Sequence, residues 1–208
     1  MNSELIRNDF PILKTKVGGH QIVYFDNAAT TQRPLPVVNA VLDYTTHENG
    51  NPHRGAHIFA ISASEAYDTS KEVVRDFIHA RSEKEIIYTR NTSESLNLVA
   101  RSYGETHLKA GDHILITIAE HHSNLVTWQR VAQKTGATLD YIYVDKETGH
   151  FPEEELKKID DPRVKLFAFA EVSNVLGIDF DPKPLIQRAH AHGAIVVLDG
   201  AQSTPHKT

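Results

Sequence analysis

The chain has 208 residues, 40% of them hydrophobic and 24% charged, with a formal net charge of −5. That composition is ordinary for a globular protein, and its acidic balance argues against nucleic acid or an anionic membrane surface as a partner. It contains no cysteine, which excludes disulfides, thiolate metal sites and a cysteine nucleophile within these residues.

Residues 1–20 form an amino-terminal segment without the apolar core of a secretion signal, so a cytoplasmic location is expected. No later apolar run approaches the roughly 20 residues of a membrane span. The stretch QIVYF (21–25) predicts a short strand, and PLPVVNAVLDYTTHE (34–48) a helix with proline at its start. From Ala63 the apolar residues Ala66, Tyr67, Val73, Val74, Phe77 and Ile78 keep a three-to-four spacing, which predicts a long amphipathic helix. EIIYT (85–89) reads as a strand and 93–108 as a helix. DHILITI (112–118) reads as a strand, and 124–136 as a helix with Gly136 as its carboxyl cap. Strands at 138–144, 164–170 and 194–198 alternate with helices at 152–159 and 182–193. This alternation predicts βαβ units, a mainly parallel sheet and helices on both faces: a three-layer α/β fold. Nothing resembles an internal repeat or a low-complexity linker.

In such a sheet the turns after the strands gather at one edge, where ligands bind. Four of these turns carry notable chemistry. Thr92 and Ser93 stand where a helix begins, and amides and hydroxyls there suit an anion as well as plain capping. His121 and His122 follow the strand at 112–118. Two histidines at such a turn suit ring stacking, proton movement, metal binding or ordinary solvation. Adjacent residues rarely point at one ion, so no metal is expected. Asn174 follows the strand at 164–170, where asparagine is also a common turn residue. Asp199 ends the apolar run AIVVL, with Gln202 three residues on. A carboxylate at the end of a buried strand needs a cationic or hydrogen-bonding partner. Together these features suit one flat, cationic, phosphate-bearing ligand. Pyridoxal phosphate has those properties, and an acid at its ring nitrogen keeps the ring protonated and able to accept charge from the substrate's alpha carbon.

The strings YFDNAATTQRP, NPHRGAH, RNTSESLNLVA, GDHILITIAEHHSNLVTWQ, EVSNVLG and HAHGAIVVLDGAQSTPH occur in this order. In this the chain resembles the cysteine desulfurases, class V pyridoxal-phosphate enzymes of fold type I. The EHHSN and HRG strings make it most similar to the SUF-type, group II branch. The resemblance implies conversion of L-cysteine to L-alanine with a protein-bound persulfide, supplied to a sulfur-acceptor protein of iron–sulfur cluster assembly. Selenocysteine lyase activity is a companion of that family, and a homodimer is its usual assembly. By motif, Thr92 and Ser93 match the phosphate-binding pair. His121 matches the histidine that stacks on the ring and helps move protons. Asn174 matches the asparagine beside cofactor and substrate carboxylate. Asp199 matches the partner of the ring nitrogen, and Gln202 the donor to the phenolic oxygen. Ala28 and Ala29 match backbone that lines the substrate pocket, while His53 and Arg54 match a loop at its entrance.

Two parts of the family pattern are missing. The Schiff-base lysine follows a later strand in a Ser-x-His-Lys context, and the persulfide-forming cysteine lies in a small domain further on. The end STPHKT looks briefly like the lysine motif, but His206 aligns better with a histidine just after the aspartate, so Lys207 is expected to be a surface lysine. Residues 21–208 are therefore expected to be the amino-terminal part of the large, cofactor-binding domain, incomplete at its carboxyl end and inactive alone. A complete small α/β domain with a frayed tail is the plainer alternative. For function the alternatives are another class V enzyme, either a kynureninase-like hydrolase or an aminotransferase, and a non-catalytic truncated paralogue. A nucleotide-binding α/β domain lacks support, since neither G-x-G-x-x-G nor a P-loop follows a strand.

Overall fold

A computed structural model describes residues 3–207. They fall into two compact units, one ending at Ile86 and one beginning at Ile87.

The amino-terminal unit starts with helix α1 (Ser3–Asn8), a 3-10 turn (Pro11–Lys14) and a small antiparallel pair, β1 (Lys16–Val17) with β2 (His20–Gln21). Helix α2 (Leu35–Asp43) runs on into a π turn (Tyr44–Glu48), so the expected helix at 34–48 forms with its prolines at the start. Helix α3 (Ile58–Phe77) is five residues longer at its start than its apolar spacing indicated, because His57 caps it by accepting the Ala60 amide at 3.3 Å. The strand expected at 21–25 does not form beyond β2. Val23 and Phe25 are exposed, and without a neighbouring strand an apolar alternation gives only extended chain. The strand expected at 85–89 is likewise absent: a 3-10 turn (Glu83–Glu85) leads into residues that join no strand.

The second unit holds the sheet. Its four strands, β3 (His113–Thr117), β4 (Thr138–Ile142), β5 (Val164–Ala170) and β6 (Ile195–Asp199), are parallel and lie in the order β4-β3-β5-β6. The pleat sends alternate residues to opposite faces. Ile114, Ile116, Leu166, Ala168, Ile195 and Val197 pack on one side, against Trp128 and Val131 of helix α6 (His122–Thr135). Leu115, Phe167, Phe169 and Val196 pack on the other, against Leu185 and Ala189 of helix α8 (Pro182–Ala191) and against Ile159. Each large side chain so buried contributes roughly 1.5–3 kcal/mol. A short helix α7 (Glu153–Leu156), continued by a 3-10 turn (Lys157–Asp160), replaces the single helix expected at 152–159.

The helix expected at 93–108 forms as α4 (Thr92–Val99), running on through a π segment (Ala100–Gly104) into α5 (Glu105–His107). Gly104 sits under α6: a Cβ there would lie 3.2 Å from both Trp128 and Val131. Gly136 ends α6 in the left-handed region, φ 77°, as its sequence position indicated. No described helix is long and apolar enough to cross a membrane.

Candidate active site

The chain leaves β3 toward β4 on one side and leaves β5 toward β6 on the other. The carboxyl ends of β3 and β5 therefore flank a switch in direction, the place where open α/β sheets form a ligand crevice. Ser173, buried in the loop after β5, donates from Oγ to the Ala119 carbonyl at 3.2 Å and so ties that loop to the one after β3. Ser173 Oγ also accepts the Leu176 amide at 3.2 Å. Its neighbour Asn174 is exposed at the same edge.

His121 closes the loop after β3 and caps α6. Its Nδ1 accepts the Ser123 amide at 3.1 Å and lies 2.9 Å from Ser123 Oγ. An accepting Nδ1 puts the proton of a neutral imidazole on Nε2. The His121 and His122 rings stand 6.1 Å apart at 87°. Among the described residues no cluster of His, Asp or Glu is placed to hold a metal ion. Ser123 Oγ is 2.6 Å from Ser93 Oγ, so the starts of α6 and α4 meet. At α4 the cap is Asn91, whose Oδ1 accepts the Glu94 amide at 2.9 Å. Thr92 and Ser93 occupy the open first turn, where amides lack helical partners and the helix dipole favours an anion.

Asp199 ends β6 and is 6% exposed. It shares its face of the sheet with Ile195 and Val197, the face covered by α6. Its Oδ1 accepts the Ala201 amide at 3.0 Å, and its carbonyl accepts the Glu171 amide at 3.1 Å. Gln202 is half-buried in the turn that follows. Lys207 is bound elsewhere: its amine donates to Asp179 at 2.6 Å and pairs with Glu171 at 2.8 Å. The Asp179 and then the Glu171 hydrogen bond raise its pKa, and a protonated amine held by two carboxylates is no nucleophile. Asp199, His121, Thr92 and Ser93 thus converge on one edge, linked through Ser123, Ser173 and the β5–β6 pairing.

Glu120 opens the EHHSN string, but the sequence motifs assign it no role in the site. Its Oε1 accepts the Ala170 amide at 3.1 Å and the Thr117 hydroxyl; its Oε2 accepts Asn124 Nδ2 at 2.6 Å. Burial pushes the carboxyl up to about 7 against the pull of these three donors, and the nearby Asp199 charge adds to the rise. Beyond that string, its sequence signal is an acid with threonine three residues before it and asparagine four residues after.

The other candidates belong to the amino-terminal unit. Ala28 and Ala29 lie in an exposed turn. His53 is held at φ 63°, a left-handed conformation rare outside glycine; its amide donates to Ser64 Oγ at 2.8 Å. Its Nε2 stands 3.5 Å from Asp68, and its ring meets Tyr67 edge-on at 5.5 Å. Arg54 beside it is exposed.

Known proteins match this chain along nearly its whole length. A probable cysteine desulfurase of Halalkalibacterium halodurans is 46% identical over 99% of this chain and 50% of its own length. One from Synechocystis is also 46% identical, over 97% of this chain and 48% of its own length. Among solved structures, a cysteine desulfurase of Thermococcus onnurineus superposes with a TM-score of 0.88 at 41% identity, covering 98% of this chain and 48% of that one. A cysteine desulfurase of Escherichia coli gives 0.85 at 35% identity, covering 99% of this chain and 50% of that one. The chain spans about half the length of the relatives it matches. The family described as Aminotransferase class-V matches residues 23–208, and the chain belongs to that family.

Proposed function

We propose that the protein to which this chain belongs is a pyridoxal-phosphate-dependent cysteine desulfurase. It converts L-cysteine and an enzyme thiol into L-alanine and an enzyme persulfide; the C–S bond breaks, an S–S bond forms and a proton replaces sulfur on carbon. The observation that carries the reading is the buried Asp199 carboxylate, set at the crevice that the starts of α4 and α6 also reach. The donor set fits the cofactor. Hydroxyls and amides of Thr92 and Ser93 would hold a phosphate, the His121 ring would cover an aromatic face, and Asp199 would meet a ring cation. Bound there, pyridoxal phosphate supplies an electron sink for the bonds at the substrate's alpha carbon.

The chain's own residues then have distinct tasks. Asp199 holds a proton on the ring nitrogen by a charge-assisted hydrogen bond in a water-poor site. His121 is fixed by its cap with Nε2 outward as the remaining proton-bearing atom. Gln202 orients the phenolic oxygen, and Asn174 the substrate carboxylate. The resemblance assigns Ala28 and Ala29 to backbone lining the substrate pocket, and His53 and Arg54 to the loop at its entrance. Lys207 stays an ion-paired lysine, and the Schiff-base lysine and acceptor cysteine belong to residues outside this chain. A SUF-type, cytoplasmic homodimer that passes sulfur to an acceptor protein of iron–sulfur assembly is the finer form of this reading.

The test is direct. Full-length protein loaded with pyridoxal phosphate and given L-cysteine and a thiol reductant is expected to release alanine and sulfide in equal amounts. No alanine from L-cysteine overturns the proposal. Asp199→Ala is expected to weaken cofactor binding by about 1.5–3 kcal/mol and to slow turnover further.

A further inference from the structure

Trp128, Asn124 and Glu120 form a chain of hydrogen bonds that runs in one direction. The Trp128 indole is fully buried and can only donate; Nε1 gives its proton to Asn124 Oδ1 at 2.7 Å. That contact fixes the orientation of the Asn124 amide, which is itself fully buried, so Nδ2 must donate. It does so to Glu120 Oε2 at 2.6 Å. On the other oxygen the Ala170 amide of β5 can also only donate. Glu120 is thereby forced to accept on both oxygens, from three elements: α6, β5 and, through Thr117, β3. Among charged side chains of the described residues, Asp199 at the end of β6 is the one whose field reaches it. Glu120 also immediately precedes His121 in the loop that Ser173 pins.

We propose that Glu120 is a positioning residue of the site, locked as an acceptor by the one-way relay from Trp128 through Asn124, which holds the His121 loop against the end of β5. The role in cofactor binding rests on the function proposed above; the relay does not. Burial raises the carboxyl to about 7, and the three donors that it accepts from favour its ionised form.

The relay predicts a pattern that simple loss of a side chain does not. In the full-length protein, Glu120→Gln turns a donor toward the Asn124 donor, and Asn124→Asp turns a carboxylate toward the Glu120 carboxylate. Each single variant is expected to lower the thermal midpoint by several degrees and to raise the dissociation constant for pyridoxal phosphate about tenfold. The double variant Glu120→Gln/Asn124→Asp reverses the middle link. The carboxylate introduced at position 124 accepts from Trp128 and from the amide introduced at position 120, whose oxygen still accepts from Ala170. This double variant is expected to recover most of both losses at unchanged net charge. A double variant no better than the worse single one overturns the relay. Stability is read on cofactor-free protein, so a wild type that binds no pyridoxal phosphate contradicts the proposed function while the rescue pattern still decides the relay.

Discussion

Phe25 is 91% exposed; Phe167 is fully buried. The two compact units differ throughout in this way. Beyond Ile86, apolar residues of four strands and two long helices close around a sheet on both faces. Up to Ile86, buried apolar residues among those described are Ala60, Ala63 and Ile86, while Val37, Val38, Val41 and Leu42 of α2 and Ile58, Phe59, Ile61, Val73 and Phe77 of α3 stay largely in solvent. Both units carry amphipathic helices. An apolar stripe stabilises a helix only where something covers it, and only the sheet-bearing unit supplies that cover from its own residues. It follows that the proposed anchoring groups, Thr92, His121 and Asp199, stand on the rigid part of the chain, where small positional errors are least tolerated.

The comparison breaks first if burial does not translate into stability. Trp128→Ala is expected to destabilise the chain by about 3–5 kcal/mol in urea unfolding, through the lost packing and the unpaired Asn124 oxygen. A cost below about 1 kcal/mol would mean that the sheet-bearing unit is no better packed than the other.

Next in size is the pH dependence of Glu120. The folded form holds this proton more tightly than the unfolded chain does, with a carboxyl raised from 4.5 to about 7. The advantage is full below the ordinary carboxyl range and is lost as pH climbs to about 7, a change of about 3 kcal/mol. Glu120→Gln is expected to flatten that slope in stability measured from about pH 4 to pH 8, and an unchanged slope would locate the titrating group elsewhere.

Smaller still is Gly136→Ala. It forces alanine into a left-handed cap 3.3 Å from the Ala110 side chain and is expected to cost about 1 kcal/mol. At the other end of the scale, Phe25→Ala is expected to change stability by less than about 0.5 kcal/mol. A cost above about 2 kcal/mol there would show that the residue is covered, and the contrast between the units would fall.

What was legible in the sequence follows the same division. The strands β3, β5 and β6 announced themselves because each is apolar on both faces, and helix α6 because it carries both its apolar stripe and its terminal glycine. Asp199, at the end of such a strand, stood out as a charge in the wrong solvent. The strands expected at 21–25 and 85–89 failed because pairing is decided by a neighbour far along the chain and not by local alternation. Glu120 escaped notice for a related reason. Its meaning lies in a bond to Ala170, fifty residues away, and in the field of Asp199 beyond it. The close fit of Gly104 beneath Trp128 is again a contact no local pattern contains.

The central claim is that the carboxyl edge of the sheet anchors the cofactor. Amide hydrogen exchange on the full-length protein, freed of pyridoxal phosphate and then reloaded, tests it most directly. The account predicts that, within this chain, the strongest slowing falls in residues 91–95, 119–124, 170–174 and 199–203. Slowing that instead centres on the cleft of about 410 Å³ lined by His113, Asp140 and Arg163, with those four segments unchanged, would contradict it.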